Sequence, residues 1–187
     1  MKKLTLIVAI AIFSFTNSNA QEFSFGVKGG VNVANFGGTT SYAGFGSLGS
    51  RTGAHIGVLM EVPISGDISL QPELLYSMKG STWSDTNLDY IDIPILGKYN
   101  LPWVEGLSGE LGPVIGVLMS AKRNDNDAKD SFKTMDAAIA IGATYKLNMG
   151  VFFSLRYNKG LLEVWEDNPN NFTNKNNVFQ VSAGYAF

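Results

Sequence analysis

The chain has 187 residues, of which 45 % are hydrophobic and only 16 % charged, with 21 Gly and no Cys. This balance excludes a disordered chain, which needs more charge and fewer large apolar groups, and any disulfide framework, thiolate metal site or Cys nucleophile. The formal net charge of −2 argues against nucleic acid as a partner.

Residues 1–20 have the form of a secretory signal peptide. Lys2 and Lys3 precede an apolar run from Leu4 to Phe15, and Ser18 and Ala20 occupy the small-residue positions of a cleavage site. The run is about 12 residues, too short for the ~20 that a membrane-spanning helix needs. Cleavage leaves Gln21 first and removes two lysines, so the mature chain of residues 21–187 carries 12 basic and 16 acidic residues, net −4. No later run is long and apolar enough to predict a transmembrane helix.

From Phe23 onward the chain alternates with a period of two, the pattern of strands with two different faces. Eight segments show it: Phe23–Val33, Thr52–Val62, Ile68–Lys79, Tyr90–Tyr99, Glu110–Met119, Asp136–Leu147, Val151–Asn158 and Val178–Phe187. Ten residues at ~3.3 Å rise and ~45° tilt cover roughly 23 Å, close to the ~25 Å apolar band of an outer-membrane barrel. The links at Pro63–Asp67, Leu101–Ser108 and Asn148–Gly150 are short. Those at Asn35–Arg51, Gly80–Asp89, Lys122–Thr134 and Gly160–Asn176 are long. The layout predicts an all-β fold, an eight-stranded antiparallel up-and-down transmembrane β-barrel with both ends of the mature chain on the short-turn side.

Alternation alone does not separate a soluble barrel, apolar inside, from a membrane barrel, apolar outside. Three features favour the membrane. The polar face is rich in small residues (Gly26, Gly30, Gly57, Gly112, Gly116, Ala138, Ala140, Gly142), which suit a crowded interior. It carries too few charges to keep a barrel soluble. Aromatics gather near strand ends, where interfacial girdles lie: Tyr99, Trp103, Tyr145, Tyr185 and Phe187 at one end, Tyr76, Trp83, Tyr157 and Trp165 at the other.

The last strand, from Val178 to Phe187, closes on Phe with aromatics two apart at Tyr185 and Phe187. It resembles the insertion signal of Gram-negative outer-membrane barrels, which implies the barrel-assembly machinery and outer-membrane lipid as partners. The segments Phe25–Asn32 and Tyr90–Tyr99 resemble the PorT-like outer-membrane β-barrel family of Bacteroidota, a likeness that extends over the whole mature chain. The family is functionally mixed. Some members serve protein secretion, most are known only as porin-like barrels, and no catalytic residues come over with the resemblance.

The inward polar residues form a candidate lumen charge network: Lys28, His55, Glu61, Glu73, Asp92, Lys98, Glu110 and Arg156. Lys28, Glu73 and Arg156 fall at similar mid-heights, with His55 and Asp92 near or just above. Glu61, Lys98, Glu110 and Lys146 fall lower. Strand neighbours place Glu61 near Glu73 or Lys28, and Lys98 near Glu110. Two readings follow: a polar plug of paired charges, or a gated, ion-selective path. Eight strands leave an interior just wide enough for side chains, and open channels need roughly 16–18. The plug is therefore favoured.

His55 is the one histidine. A metal site needs several ligands, so none is predicted, and no cofactor is called for. As a catalytic base it would take partners from Asp89, Asp92, Ser81 or Ser84, but no motif supports them. The stretch Lys122–Lys133 lacks the Gly and closing Glu of an EF-hand and reads as a solvated outer loop. Residues 37–51 are Gly- and Ser-rich without a phosphate-loop Lys. Residues 165–172 hold aromatics with Asn and Asp, suited to a surface ligand or to interfacial anchoring. The expectation is a non-enzymatic barrel with a filled lumen and long outer loops for structural or surface-interaction roles. The alternatives are a narrow solute channel or an accessory part of protein secretion.

Overall fold

The computed structural model describes residues 23–37, 49–82, 85–124, 126–165 and 174–187. The signal-peptide reading of residues 1–20 therefore lies outside the described residues, as do Trp83 and Ser84. Eight long strands make the fold: β1 (Ser24–Gly37), β2 (Arg51–Ser65), β3 (Ile68–Ser81), β4 (Thr86–Asn100), β5 (Leu107–Arg123), β6 (Met135–Lys146), β7 (Val151–Gly160) and β8 (Lys175–Ala186). Each pairs antiparallel with the next, and β8 pairs with β1, so the sheet closes into an up-and-down barrel. Among the described residues no helix is long and apolar enough to cross a membrane.

The alternation sets the faces as expected. Phe25, Val27, Ile56, Val58, Leu74, Leu111, Ile141, Phe153 and Leu155 are exposed on the outside, while the polar residues between them are buried inside. An apolar exterior around a polar interior inverts the soluble pattern and suits lipid as the outer solvent. Tyr99, Trp103, Tyr145, Tyr185 and Phe187 stand exposed at the short-turn end. By the layout of such barrels this end faces the periplasm.

The strands run further than the alternation marks. β4 begins at Thr86 and β5 continues to Arg123. This corrects one predicted link. Gly80–Asp89 is not a long loop, because β3 and β4 pair up to Ser81 with Thr86, so the link between them is only residues 82–85. Ladder hydrogen bonds need no apolar side chain, so pairing outlasts the hydrophobic pattern. At the other end Gly66 (φ 49°) and Asp67 make the tight β2–β3 turn.

The register fixes how side chains stack inside. The ladder from Lys28 through Gly57, Leu75, Asp92 and Gly116 reaches Asp136 on β6. The ladder the other way, through Gly184 and Phe152, reaches Lys146 on the same strand. The mismatch of ten residues is the barrel's shear. Eight strands with this shear tilt by about 40°. Each step from β1 toward β6 therefore climbs slightly more than one residue toward the outer end.

The outer end is closed by an apolar lid. Leu88 and Tyr90 of β4 and Leu118 and Ala121 of β5 point inward and pack with Phe132 and Val164 from the loops. Phe36, Ala128 and Trp165 pack against this group. The two loops are joined by a bridge between Phe132 and Trp165 and by a hydrogen bond from Lys133 N to Val164 O of 2.9 Å. Burying side chains of this size stabilises by about 1.5–3 kcal/mol each. The stretch Lys122–Lys133 is thus more than a solvated loop: it carries a short arm at Asn126–Asp127, a turn at Lys129–Ser131 and a buried anchor, Phe132.

Candidate functional site

The lumen below the lid is organised in layers. The central one is an ion quartet. Arg156 of β7 grips Glu73 of β3 through both terminal nitrogens, each 2.8 Å from a carboxylate oxygen. Its Nε donates to Glu110 Oε1 of β5 at 2.7 Å. Lys28 Nζ of β1 lies 3.1 Å from Glu73 Oε2. Gln71 Nε2 and Thr144 Oγ1 donate to the two carboxylates. Two cations and two anions from four strands thus neutralise one another across the bore. All four side chains are at least 98 % buried. A bidentate Arg–carboxylate pair with its remaining lone pairs filled is the geometry in which Coulomb attraction offsets desolvation.

Above the quartet lies a mostly neutral layer. Correction for the ladder's climb, ten residues over eight strands, places Asn32, His55, Asp92, Asn158 and Gln180 at one height. Asn32 Nδ2 donates to Met78 O at 2.9 Å and to Ser77 Oγ at 3.0 Å, which leaves its Oδ1 as acceptor. His55 Nδ1 lies 2.8 Å from that oxygen and Nε2 lies 2.8 Å from Ser182 Oγ. An amide oxygen only accepts, so the Nδ1 proton is on His55, and in the neutral ring the Ser182 hydroxyl donates to Nε2. Higher still, Lys79 Nζ bridges Asp92 (2.8 Å) and Asp136 (3.5 Å). Gly116 sits between these two aspartates in the ladder. A Cβ there would meet Asp92 Oδ1 at 2.8 Å, so a larger residue would have to push the Asp92 carboxylate aside.

At the periplasmic mouth Lys98 Nζ donates to Glu61 Oε2 at 2.9 Å and Ser69 Oγ to Glu61 Oε1 at 2.9 Å. Glu61, Lys98, Ser108 and Lys146 line an open cup of about 290 Å³. Between cup and quartet the space narrows to about 10 Å³, room for about one water.

The structure brings Lys28, Glu73, Glu110 and Arg156 together, and Glu61 with Lys98. Two predicted neighbourhoods are corrected. Lys98 stands beside Glu110 in the ladder but pairs with Glu61, because Glu110 is taken by Arg156. Glu61 meets neither Glu73 nor Lys28. His55 lies in the lumen but outside the charge pairing, since its partners are the neutral Asn32 and Ser182. Its suggested partners are elsewhere: Ser81 donates to Gly49 O, and Asp92 pairs with Lys79. Asp89 lies on the outward face with Met78. Lys79 and Asp136 were the missed members of the network. Both alternate inward, and only their position near strand ends hid them.

Ser182, His55 and Asn32 have the atom order of a nucleophile, base and orienting group. Yet they are 3, 3 and 0 % exposed, enclosed between the ion quartet and the lid. A nucleophile needs a substrate path, and this relay reads as satisfied lumen polarity. Among the described residues no group of three or more His, Cys, Asp or Glu is placed to hold a metal ion.

A closed eight-stranded barrel with a lipid-suited exterior and a polar, ion-paired bore defines a small outer-membrane barrel protein. Residues 17–165 match the outer membrane protein beta-barrel domain, and the chain belongs to that family. No curated protein matches it by sequence. Among solved structures it is similar to Neisserial surface protein A (NspA), at TM-score 0.54 and 14 % identity over 88 % of this chain and 97 % of that one. It is also similar to Ail, the attachment invasion locus protein of Yersinia pestis, at TM-score 0.54 and 14 % identity over 89 % and 99 %. At such identity the likeness shows the fold.

Proposed function

We propose that this protein is a non-conducting, non-enzymatic barrel that acts at the cell surface through its outer loops. The observation that supports this is the double closure of the bore, by the Arg156–Glu73–Lys28–Glu110 quartet and by the lid around Phe132 and Val164. A closed bore leaves the outer face as the working surface. There β3, β4 and β5 carry their pairing on as far as Ser81, Thr86 and Arg123, and Arg123 stacks over Trp165 at 5.3 Å. The reading also includes residues 1–20 as a cleaved signal peptide, Tyr185 and Phe187 as the signal to the barrel-assembly machinery, and kinship with the PorT-like barrels of Bacteroidota.

The test is conductance of the refolded mature protein in planar bilayers, with Glu73→Gln and Arg156→Gln alongside. The expected result is silence from a barrel whose heat-modifiable gel shift proves it folded. Steady single-channel openings in the wild type would overturn the reading. Loss of exported proteins on gene deletion would instead favour a secretion role.

A further inference from the structure

Several buried lumen atoms have no hydrogen-bond partner within the described protein, among them Asp92 Oδ2, Asn158 Oδ1 and Gln180 Oε1. These three fall in the layer of His55, on β4, β7 and β8. Their residues are 1, 5 and 1 % exposed. All three are oxygens that accept and cannot donate. For Gln180 the assignment is fixed by its nitrogen, which donates to Asn32 Oδ1 at 3.0 Å. Asn176 Oδ1, four residues further up β8 beside Asp136, is another buried acceptor without a partner.

The same region has a charge fault. The quartet below balances two cations with two anions. Above it, Asp92 and Asp136 share the single cation Lys79. With both carboxyls ionised, one negative charge is left over. An uncompensated buried charge is strongly destabilising, and each unpaired buried acceptor adds a desolvation cost. One group cures both faults: a small cation that takes oxygen ligands.

We propose that the His55 layer binds a monovalent alkali cation of the sodium or potassium class, held by Asp92 Oδ2, Asn158 Oδ1 and Gln180 Oε1. Calcium takes 6–8 oxygens, with carboxylates prominent among them. Here one carboxylate, already shared with Lys79, faces two amide oxygens, which suits a single charge. The ion is then a structural part of the bore and leaves both closures in place.

The experiment uses the refolded full barrel in neutral detergent. Thermal unfolding is followed in sodium, potassium and choline chloride at equal ionic strength, for the wild type, Asp92→Asn and Asn158→Leu. The wild-type midpoint should rise by about 4 °C per tenfold sodium or potassium above the dissociation constant, and choline should have no effect. Both variants should lose the dependence. If Asp92→Asn fails to fold, Asn158→Leu carries the comparison. Rubidium-soaked crystals should show an anomalous peak between the three oxygens. Equal melting in sodium and choline overturns the proposal, as does a cation dependence that survives in a folded variant, or a missing rubidium peak. A midpoint that follows pH but ignores the cation would place a shared proton on Asp92 and Asp136, and overturns it equally.

Discussion

Glu73 holds the greatest share of the bore's charge pairing, since it meets Arg156 twice, Lys28 twice and Gln71 once. Glu73→Gln leaves two buried cations facing Glu110 alone, and a broken buried pair costs about 3–5 kcal/mol. The expected outcome is a large drop in the unfolding midpoint by heat-modifiable gel shift, against a small one for Gln71→Ala. Ser182 offers a different check. It should resist fluorophosphonate labelling in the folded barrel. Ser182→Ala should still destabilise by about 1–3 kcal/mol, because His55 Nε2 loses its donor. Labelling of Ser182 would instead show a path to the relay. The inward positions of Lys28, Glu73 and Arg156 were legible in the sequence, because a period of two assigns each residue a face. The partners were less so. Lys98 adjoins Glu110 in the ladder yet binds Glu61, and only the shear and side-chain reach decide that.

At the scale of elements, periodicity finds the part of a strand whose two faces meet different media. Where both faces meet water or a loop, the pattern fades while the ladder continues. That is why β4 and β5 outrun their predicted ends, and why the β3–β4 link shrank to residues 82–85. The lid was invisible for a related reason: Phe132 and Val164 are single apolar residues in polar stretches, and no period marks them. Phe132→Ala should loosen residues 124–134 without unfolding the barrel. Limited proteolysis of the outer face should then cut this loop faster, with the gel shift unchanged. Removal of a buried Phe costs about 3–5 kcal/mol, enough to free a loop held by few other contacts. At the opposite end, Phe187 stacks on Tyr185 at 6.3 Å between ring centroids, and its backbone pairs with Phe25. Phe187→Ala should lower the amount of barrel assembled in cells while refolding in detergent stays efficient. Equal amounts in both settings would remove the insertion-signal reading.

For the whole molecule, eight strands and a shear of ten set a bore that side chains of Arg and Glu length can span. The quartet and the lid lie in series along it and share no residue. Independent closures in series multiply. If each stands open about 1 % of the time, as minor states commonly do, both are open together about once in 10⁴. Permeability then behaves as a redundant safety. Glu73→Gln alone, or Phe132→Ala alone, should leave cells as resistant to small hydrophilic antibiotics as the wild type. The double variant, if folded, should sensitise them far beyond the sum of the two.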